Sequence, residues 1–175
     1  MLADTLGSYV EEAPDSVLTL VAESRRRLPE VMDRMMKKSD NLHAEALFYH
    51  LAAMGSEKQH YASADDGAKM IHKMIRRVGH QPGRFLMADG SGVSLYNYLS
   101  PAMLVDVLIY AYKHKHIYRP LYESLPVAGI DGTLKNRMKK TPAYRKVRAK
   151  TGTVTGVCSL AGYARNEAGH LLAFV

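Results

Sequence analysis

Apolar positions along the chain follow a helical period first and a strand period only near the end. In LPEVMDRMMKK, Leu28, Val31, Met32 and Met35 fall on one side, which predicts a short helix with Pro29 in its first turn. SDNLHAEALFYHLAAMG is predicted as a second helix, with Ala44, Leu47, Leu51 and Met54 on one face and Gly55 as its stop. DDGAKMIHKMIRRVGH reads as a third, capped by Asp65 or Asp66, with Ile71, Met74, Ile75 and Val78 toward the core. Its Arg76 and Arg77 suit the negative end of the helix dipole, and Gly79 terminates it. In SPAMLVDVLIYAYKH, Ser100 is the expected N-cap, Pro101 fills the first helical position, and Leu104, Val105, Leu108 and Ala111 form the buried stripe. Residues 1–15 read as a helix or turn ending at Pro14, and DSVLTLVAES, Asp15 to Ser24, as a short strand. MADGSGVS reads as a turn and SLPVAGIDGTL as irregular.

The end of the chain alternates instead. VRAKTGT, GVCSLAGYAR and HLLAFV read as strands, and NEAG, Asn166 to Gly169, as the hairpin turn joining the last two. Helices followed by adjacent antiparallel strands indicate an α+β domain, an antiparallel sheet flanked by helices. There is no internal repeat and no low-complexity tract.

Bulk composition adds bounds. The 175 residues amount to one domain or a piece of one, and 47% hydrophobic residues suffice for a core. The formal net charge is +7, and eight of the sixteen residues from Lys135 to Lys150 are Lys or Arg. Such a cluster is expected to be a solvated face. Tyr144 lies within it, but no nucleic-acid-binding motif accompanies it, so nucleic acid is not an expected partner. Cys158 has no partner for an intrachain disulfide and is expected to be a small buried hydrophobe in a strand. No apolar run reaches the roughly 18 residues of a transmembrane span, and the first residues do not form a secretory signal. His114 and His116 stand at i and i+2, the wrong spacing for one helical face, and His72 and His80 lack carboxylates at ligand spacing. Neither a metal nor a cofactor is expected.

Two short stretches carry candidate chemistry. In KTGT, Lys150 and Gly152 share one strand face and Thr151 and Thr153 the other. Alone, the threonines are ordinary strand formers and the lysine an ordinary edge residue. Likewise SDN, Ser39 to Asn41, alone is ordinary helix capping. Together, 111 residues apart, they match two of the three motifs of penicillin-interacting serine enzymes, the third being S-x-x-K.

With its wider segments, the chain resembles the class C low-molecular-mass penicillin-binding proteins, which are D-alanyl-D-alanine carboxypeptidase/endopeptidases. KKSDNLHAEAL is similar to that family's second motif and following helix. DGSGVSLYNYLSP is similar to its DGSG turn and capped helix. SLPVAGIDGTLKNRM and VRAKTGTVTGVCSLAGYA are similar to the segments around its third motif. The resemblance implies a serine β-lactamase/DD-peptidase-like fold and hydrolysis of peptidoglycan stem peptides ending in D-Ala-D-Ala through an acyl-enzyme. It also implies β-lactams as inhibitors and a place in the periplasm or cell envelope. It implies roles as well: Ser39 relays a proton toward the leaving amine, Asn41 bonds the substrate amide and steadies the catalytic lysine, and Lys150 supplies positive potential. Thr151 and Thr153 flank the terminal carboxylate, where an ammonium and hydroxyls give charge-assisted hydrogen bonds. Gly152 lets the substrate lie beside the strand as an added strand. The Thr153 backbone N–H suits an oxyanion hole, where one donor is worth about 3 kcal/mol.

One part of the pattern is missing. None of the eleven serines is followed three positions later by lysine; Ser24 comes nearest, with Arg27, which stays protonated and cannot act as a base. Residues 1–175 are therefore expected to be the C-terminal portion of a penicillin-binding domain, lacking the S-x-x-K segment and the final helix. Alone, this portion is expected to be inactive. A non-catalytic peptide-binding remnant is one alternative. A class A β-lactamase-like hydrolase is another, but it needs S-x-x-K roughly 60 residues before S-D-N, and only 38 residues precede Ser39.

Overall fold

A computed structural model describes residues 25–56 and 61–175. The predicted strand at 15–24 and the turn before it lie outside the described residues. Among the described residues, five α-helices precede a sheet: α1 (Leu28–Lys38), α2 (Asn41–Gly55), α3 (Ala64–Arg77), α4 (Pro101–Lys113) and α5 (Lys115–Ser124). Strands β1 (Val147–Val154), β2 (Val157–Arg165) and β3 (Leu171–Phe174) pair antiparallel in the order β1-β2-β3. The architecture is the expected α+β one.

Local chemistry accounts for the helix ends. In α1, Pro29 lies in the first turn and Lys37 and Lys38 in the last. Asp40, not Ser39, caps α2, its carboxylate accepting from the His43 N–H at 3.1 Å. The cap of α3 is Ser63 rather than Asp65 or Asp66. Asp66 instead completes a capping box, accepting from Ser63 N at 3.1 Å while its own N–H donates to Ser63 Oγ at 3.3 Å. Ser100 caps α4 through Met103 N at 3.2 Å, as expected. On that helix Met103, Leu108 and Ala111 are buried, whereas Leu104 and Val105 are only partly so.

Sequence periodicity missed α5. Its Pro120 reads as a helix breaker, yet it sits inside the helix. The break falls earlier, at His114, which ends α4 and starts α5. The His114 ring donates from Nδ1 to the Tyr110 carbonyl at 2.7 Å and stacks on the Tyr110 ring.

The sheet is covered on both faces. Toward the helices, buried Tyr163 donates its hydroxyl to the Leu108 carbonyl at 2.7 Å and packs with Leu125, Tyr118 and Met36. Burial pushes the Tyr163 phenol up to about 12. On the opposite face, Val147 and Ala149 pack with Ala128 and Leu134, and Met138 and Ala143 close over them. A third cluster, Ile75, Phe85 and Met103, joins α3 to α4. Cys158 contradicts expectation: it is exposed, because it lies near the β1–β2 turn beyond both coverings.

The segment after α5 reads as irregular in sequence but is a buried bridge. Ser124 to Ala128 are all buried. Ala128 N donates to Val147 O at 2.9 Å and Ala149 N to Pro126 O at 3.0 Å, so the segment lies along the first half of β1. Lys37 of α1 ties it down, donating to Leu125 O at 3.0 Å and to Asp131 Oδ2 at 2.6 Å. The other Asp131 oxygen accepts from Val127 N at 2.7 Å. Gly132 has φ +54, and an added Cβ would stand 2.9 Å from the Lys37 carbonyl, so glycine is required where loop meets helix end.

Burial pushes the Asp131 carboxyl up, but the Lys37 and Val127 hydrogen bonds and the nearby cations outweigh it and hold the group below its ordinary value. A depressed carboxyl stabilises the fold above its unfolded value of about 4, and that contribution is lost as pH falls through the lower folded value. Asp131→Asn leaves the largely buried Lys37 ammonium without its counter-charge and is expected to cost about 2 kcal/mol at neutral pH. In urea unfolding followed against pH, the gap between wild type and variant should shrink on acidification. A constant gap would show that the ion pair does not contribute as described.

Candidate active site

Three segments converge at the end of α1. Ser39 is the C-cap of α1 and takes a left-handed backbone, φ 54 and ψ 47. That turn sends the chain directly into α2 and leaves the Ser39 side chain outside both helices. Asp40 then caps α2 and accepts from Arg34 Nε at 2.9 Å. The His43 amide first, then the His43 ring and Arg34, hold its carboxyl down to about 2. The turn holding Ser39 is thus pinned on both sides by α1 and α2.

Lys150 of β1 meets this turn. Its Nζ donates to Ser39 Oγ at 2.7 Å and also to the Thr151 carbonyl. Partial burial lowers the Lys150 pKa. Thr151, on the other face of β1, donates through Oγ1 to Thr133 Oγ1 at 2.9 Å. The strand alternation read from sequence is present: Lys150 turns to the helices, while Val147, Ala149 and Thr151 turn to the Leu134 side. Ser39, Lys150 and Thr151 therefore stand together with Thr133, which sequence reasoning missed.

The remaining sequence-derived residues lie around this group. Asn41 is exposed at the first position of α2, two residues from Ser39. Thr153 is exposed toward the β1–β2 turn. Gly152 pairs with Ser159, and an added Cβ would stand 2.4 Å from Ser159 Oγ. That contact is with the rotatable hydroxyl of an exposed serine, so the sheet itself does not demand glycine there.

The outer edge of β1 changes along its length. Ala149 N points outward to Pro126 O. By the two-residue period of a strand, the N–H groups of Thr151 and Thr153 point the same way, past the end of the bridging segment. A half-covered edge next to an ammonium and hydroxyls suits an extended chain ending in a carboxylate.

A second anchor lies one turn along α2. Glu45 accepts from Gly90 N at 3.2 Å and Ser91 N at 3.0 Å. Asp89 organises that turn, accepting from Gly92 N and Ser94 N, each at 2.6 Å, and from Asn97 Nδ2 at 2.8 Å. The helix that carries Asn41 is thereby fixed against the DGSG turn. Elsewhere, His80 has a carboxylate partner that sequence spacing did not reveal: Asp106 Oδ2 at 2.8 Å. Among the described residues, no group of three or more His, Cys, Asp or Glu side chains is placed to hold a metal. No described helix is long and apolar enough to cross a membrane.

Similarity to known proteins follows the same lines. The model of the D-Ala-D-Ala carboxypeptidase 3 (S13) family matches residues 5–175. The chain is 34% identical over 166 residues to the D-alanyl-D-alanine carboxypeptidase DacB of Haemophilus influenzae, covering 94% of the chain and 34% of that protein. The crystal structure of penicillin binding protein 4 (dacB) from the same organism superposes with a TM-score of 0.76 at 36% identity, covering 84% of this chain and 32% of that one. A second structure of that protein, complexed with a β-lactam, gives a TM-score of 0.75 at 32% identity, over 89% and 38% of the two chains. The chain thus spans about a third of the length of the curated relative it matches.

The left-handed turn at Ser39 gives a test of what the site costs the fold. Ser39→Ala and Ser39→Gly both delete the hydroxyl that meets Lys150, but only glycine takes φ 54 without penalty. The glycine variant is expected to be more stable than the alanine variant by about 1 kcal/mol in urea unfolding. Equal stabilities would show that the turn is unstrained.

Proposed function

The chain belongs to the D-Ala-D-Ala carboxypeptidase 3 (S13) family, and from that membership we propose that it provides the substrate cradle of a serine-type D-alanyl-D-alanine carboxypeptidase/endopeptidase. The substrates are peptidoglycan stem peptides, β-lactams are inhibitors, and the location is the cell envelope, where that polymer lies. The observation that carries the reading is the 2.7 Å contact between Lys150 Nζ and Ser39 Oγ, side chains 111 residues apart. It joins the two motifs on which the family resemblance rests.

The roles are those the family resemblance implies, and the closeness of Lys150 to Ser39 supports them. The substrate's C-terminal segment lies along the open edge of β1, its carboxylate taken by the Lys150 ammonium and the hydroxyls of Thr151 and Thr153. The outward N–H of Thr153 stabilises the oxyanion that forms as the scissile carbonyl becomes tetrahedral. Ser39, holding a hydrogen bond from Lys150, passes a proton to the departing D-Ala amine. Asn41, exposed beside Ser39, bonds the substrate amide. The attacking oxygen comes from the serine of an S-x-x-K motif, which these 175 residues do not contain. Nucleophile and relay act as a unit, so the cradle without that serine forms no acyl-enzyme.

Two measurements test the reading. Incubated alone with a fluorescent penicillin, the chain should carry no covalent label; stoichiometric labelling would overturn the assignment of the nucleophile. In an enzyme combining these residues with an S-x-x-K serine, Lys150→Ala should lower carboxypeptidase turnover at least about 100-fold, the scale for losing one preorganised electrostatic group. Wild-type turnover in that variant would remove Lys150 from the mechanism. Because burial lowers the Lys150 pKa, and only the protonated amine holds a carboxylate, KM should begin to rise on the alkaline side below the ordinary lysine value of about 10.4.

A further inference from the structure

Charge is distributed very unevenly along this chain. Residues 132–166 contain nine Lys and Arg and no Asp or Glu, while the other 140 residues carry 15 Lys and Arg against 17 Asp and Glu. The whole positive excess therefore comes from one stretch. Its greater part is the loop 135–146, between the bridging segment and β1.

The loop has a defined shape. Arg137 N donates to Leu134 O, Tyr144 N to Thr141 O, Arg145 N to Ala128 O and Lys146 N to Ala143 O, at 2.9 to 3.0 Å. Met138 and Ala143 pack inward on the cluster around Leu134 and Ala149. What remains outside is Lys135, Arg137, Lys139, Lys140, Arg145 and Lys146, all exposed. None of these six has a carboxylate within 4.0 Å among the described residues. A solvated face of ordinary kind intersperses both signs; this one has a single sign on a fixed scaffold.

We propose that this loop is a docking surface for the carboxylates of polymeric peptidoglycan outside the cleft, a proposal that rests on the reading of the cleft as a stem-peptide site. Continuity supports it. The loop begins two residues after Thr133, whose hydroxyl bonds Thr151, and it covers the sheet face to which Thr151 points. A polymer held on the loop is held beside the open edge of β1. Two other polyanions fit less well. Nucleic acid held without sequence preference needs aromatic faces for stacking, but the Tyr144 ring lies against Gly129, where an added Cβ would come within 2.4 Å of it. A bilayer is gripped by apolar side chains that enter it, whereas Met138 and Ala143 of this loop pack on the core and its partly exposed Tyr144 is seated against Gly129.

Co-sedimentation with insoluble peptidoglycan at about 150 mM salt tests the proposal. The chain should pellet with the polymer, and K135E/R137E/K139E/K140E should bind at least about tenfold less while keeping the wild-type circular dichroism. Amidation of the polymer's carboxyl groups should lower wild-type binding to the level of the variant. Ser39→Ala should bind like the wild type, so the outcome is independent of whether the cleft performs the chemistry assigned to it. Undiminished binding by the charge-reversed chain, or to the amidated polymer, overturns the proposal. Equal or tighter binding to anionic phospholipid vesicles or duplex DNA overturns the assignment to carboxylates.

Discussion

An ammonium on a side chain only 14% exposed must be answered by nearby oxygens, and at Lys37 that requirement organises the rest. The carbonyl of Leu125 and the carboxylate of Asp131 meet it, and each fixes one end of the bridging segment to the last turn of α1. With those ends fixed, Gly132 passes close to the Lys37 carbonyl and Thr133 reaches Thr151. The same segment holds the first half of β1 through two backbone hydrogen bonds. Ser39 follows Lys37 by two residues, and Lys150 follows Ala149 directly. Long-range tethers, each anchored within a few residues of the site, thus bring two distant side chains to 2.7 Å.

The converging groups are individually unfavourable. Ser39 occupies a left-handed backbone that L residues avoid, and Lys150 is a partly dehydrated cation with a lowered pKa. Both persist because their surroundings over-determine them. Asp40 caps one helix while bonding the guanidinium of another, and Glu45 fixes α2 to the Asp89 turn. Strain and desolvation are gathered at the meeting point, and hydrogen bonds and packing elsewhere offset them. That distribution is expected where function rather than stability fixes the residue types.

What was legible in the sequence was local. The bounds of α1 follow from a clean apolar stripe with proline at one end and lysines at the other, and the hairpins from their turn residues. SDN and KTG could be paired because each is a compact backbone device whose residue types survive out of context. Tertiary features were not legible. Lys37 reads as a dipole-compensating cation until Asp131 is seen beside it, and Thr133 has no signal except its contact. Asp106 is 26 residues from His80 and pairs with it only across a helix contact. Pro120 hid α5 because a helix held by its neighbours tolerates what an isolated one does not. Ser63 is hidden as a cap by the acids after it, because the capping box uses both Ser63 and Asp66.

If the proposed cleft and loop act as inferred, two ranges of electrostatics divide the work of recognition. Lys150 acts over a hydrogen-bond length in a partly dehydrated pocket, where attraction is strong and geometry decides what binds. The loop cations stand in water, where attraction is screened within about 8 Å at physiological salt and geometry decides little. The first can select a terminal carboxylate beside a strand edge; the second can only raise the local concentration of anionic polymer. Neither substitutes for the other. A strong pocket without a gathering surface waits on diffusion from a sparse mesh, and a gathering surface without a pocket holds every carboxylate alike. In the proposed reading, their adjacency, made by the Thr133–Thr151 hydrogen bond, would let a weak and unselective attraction serve a selective one.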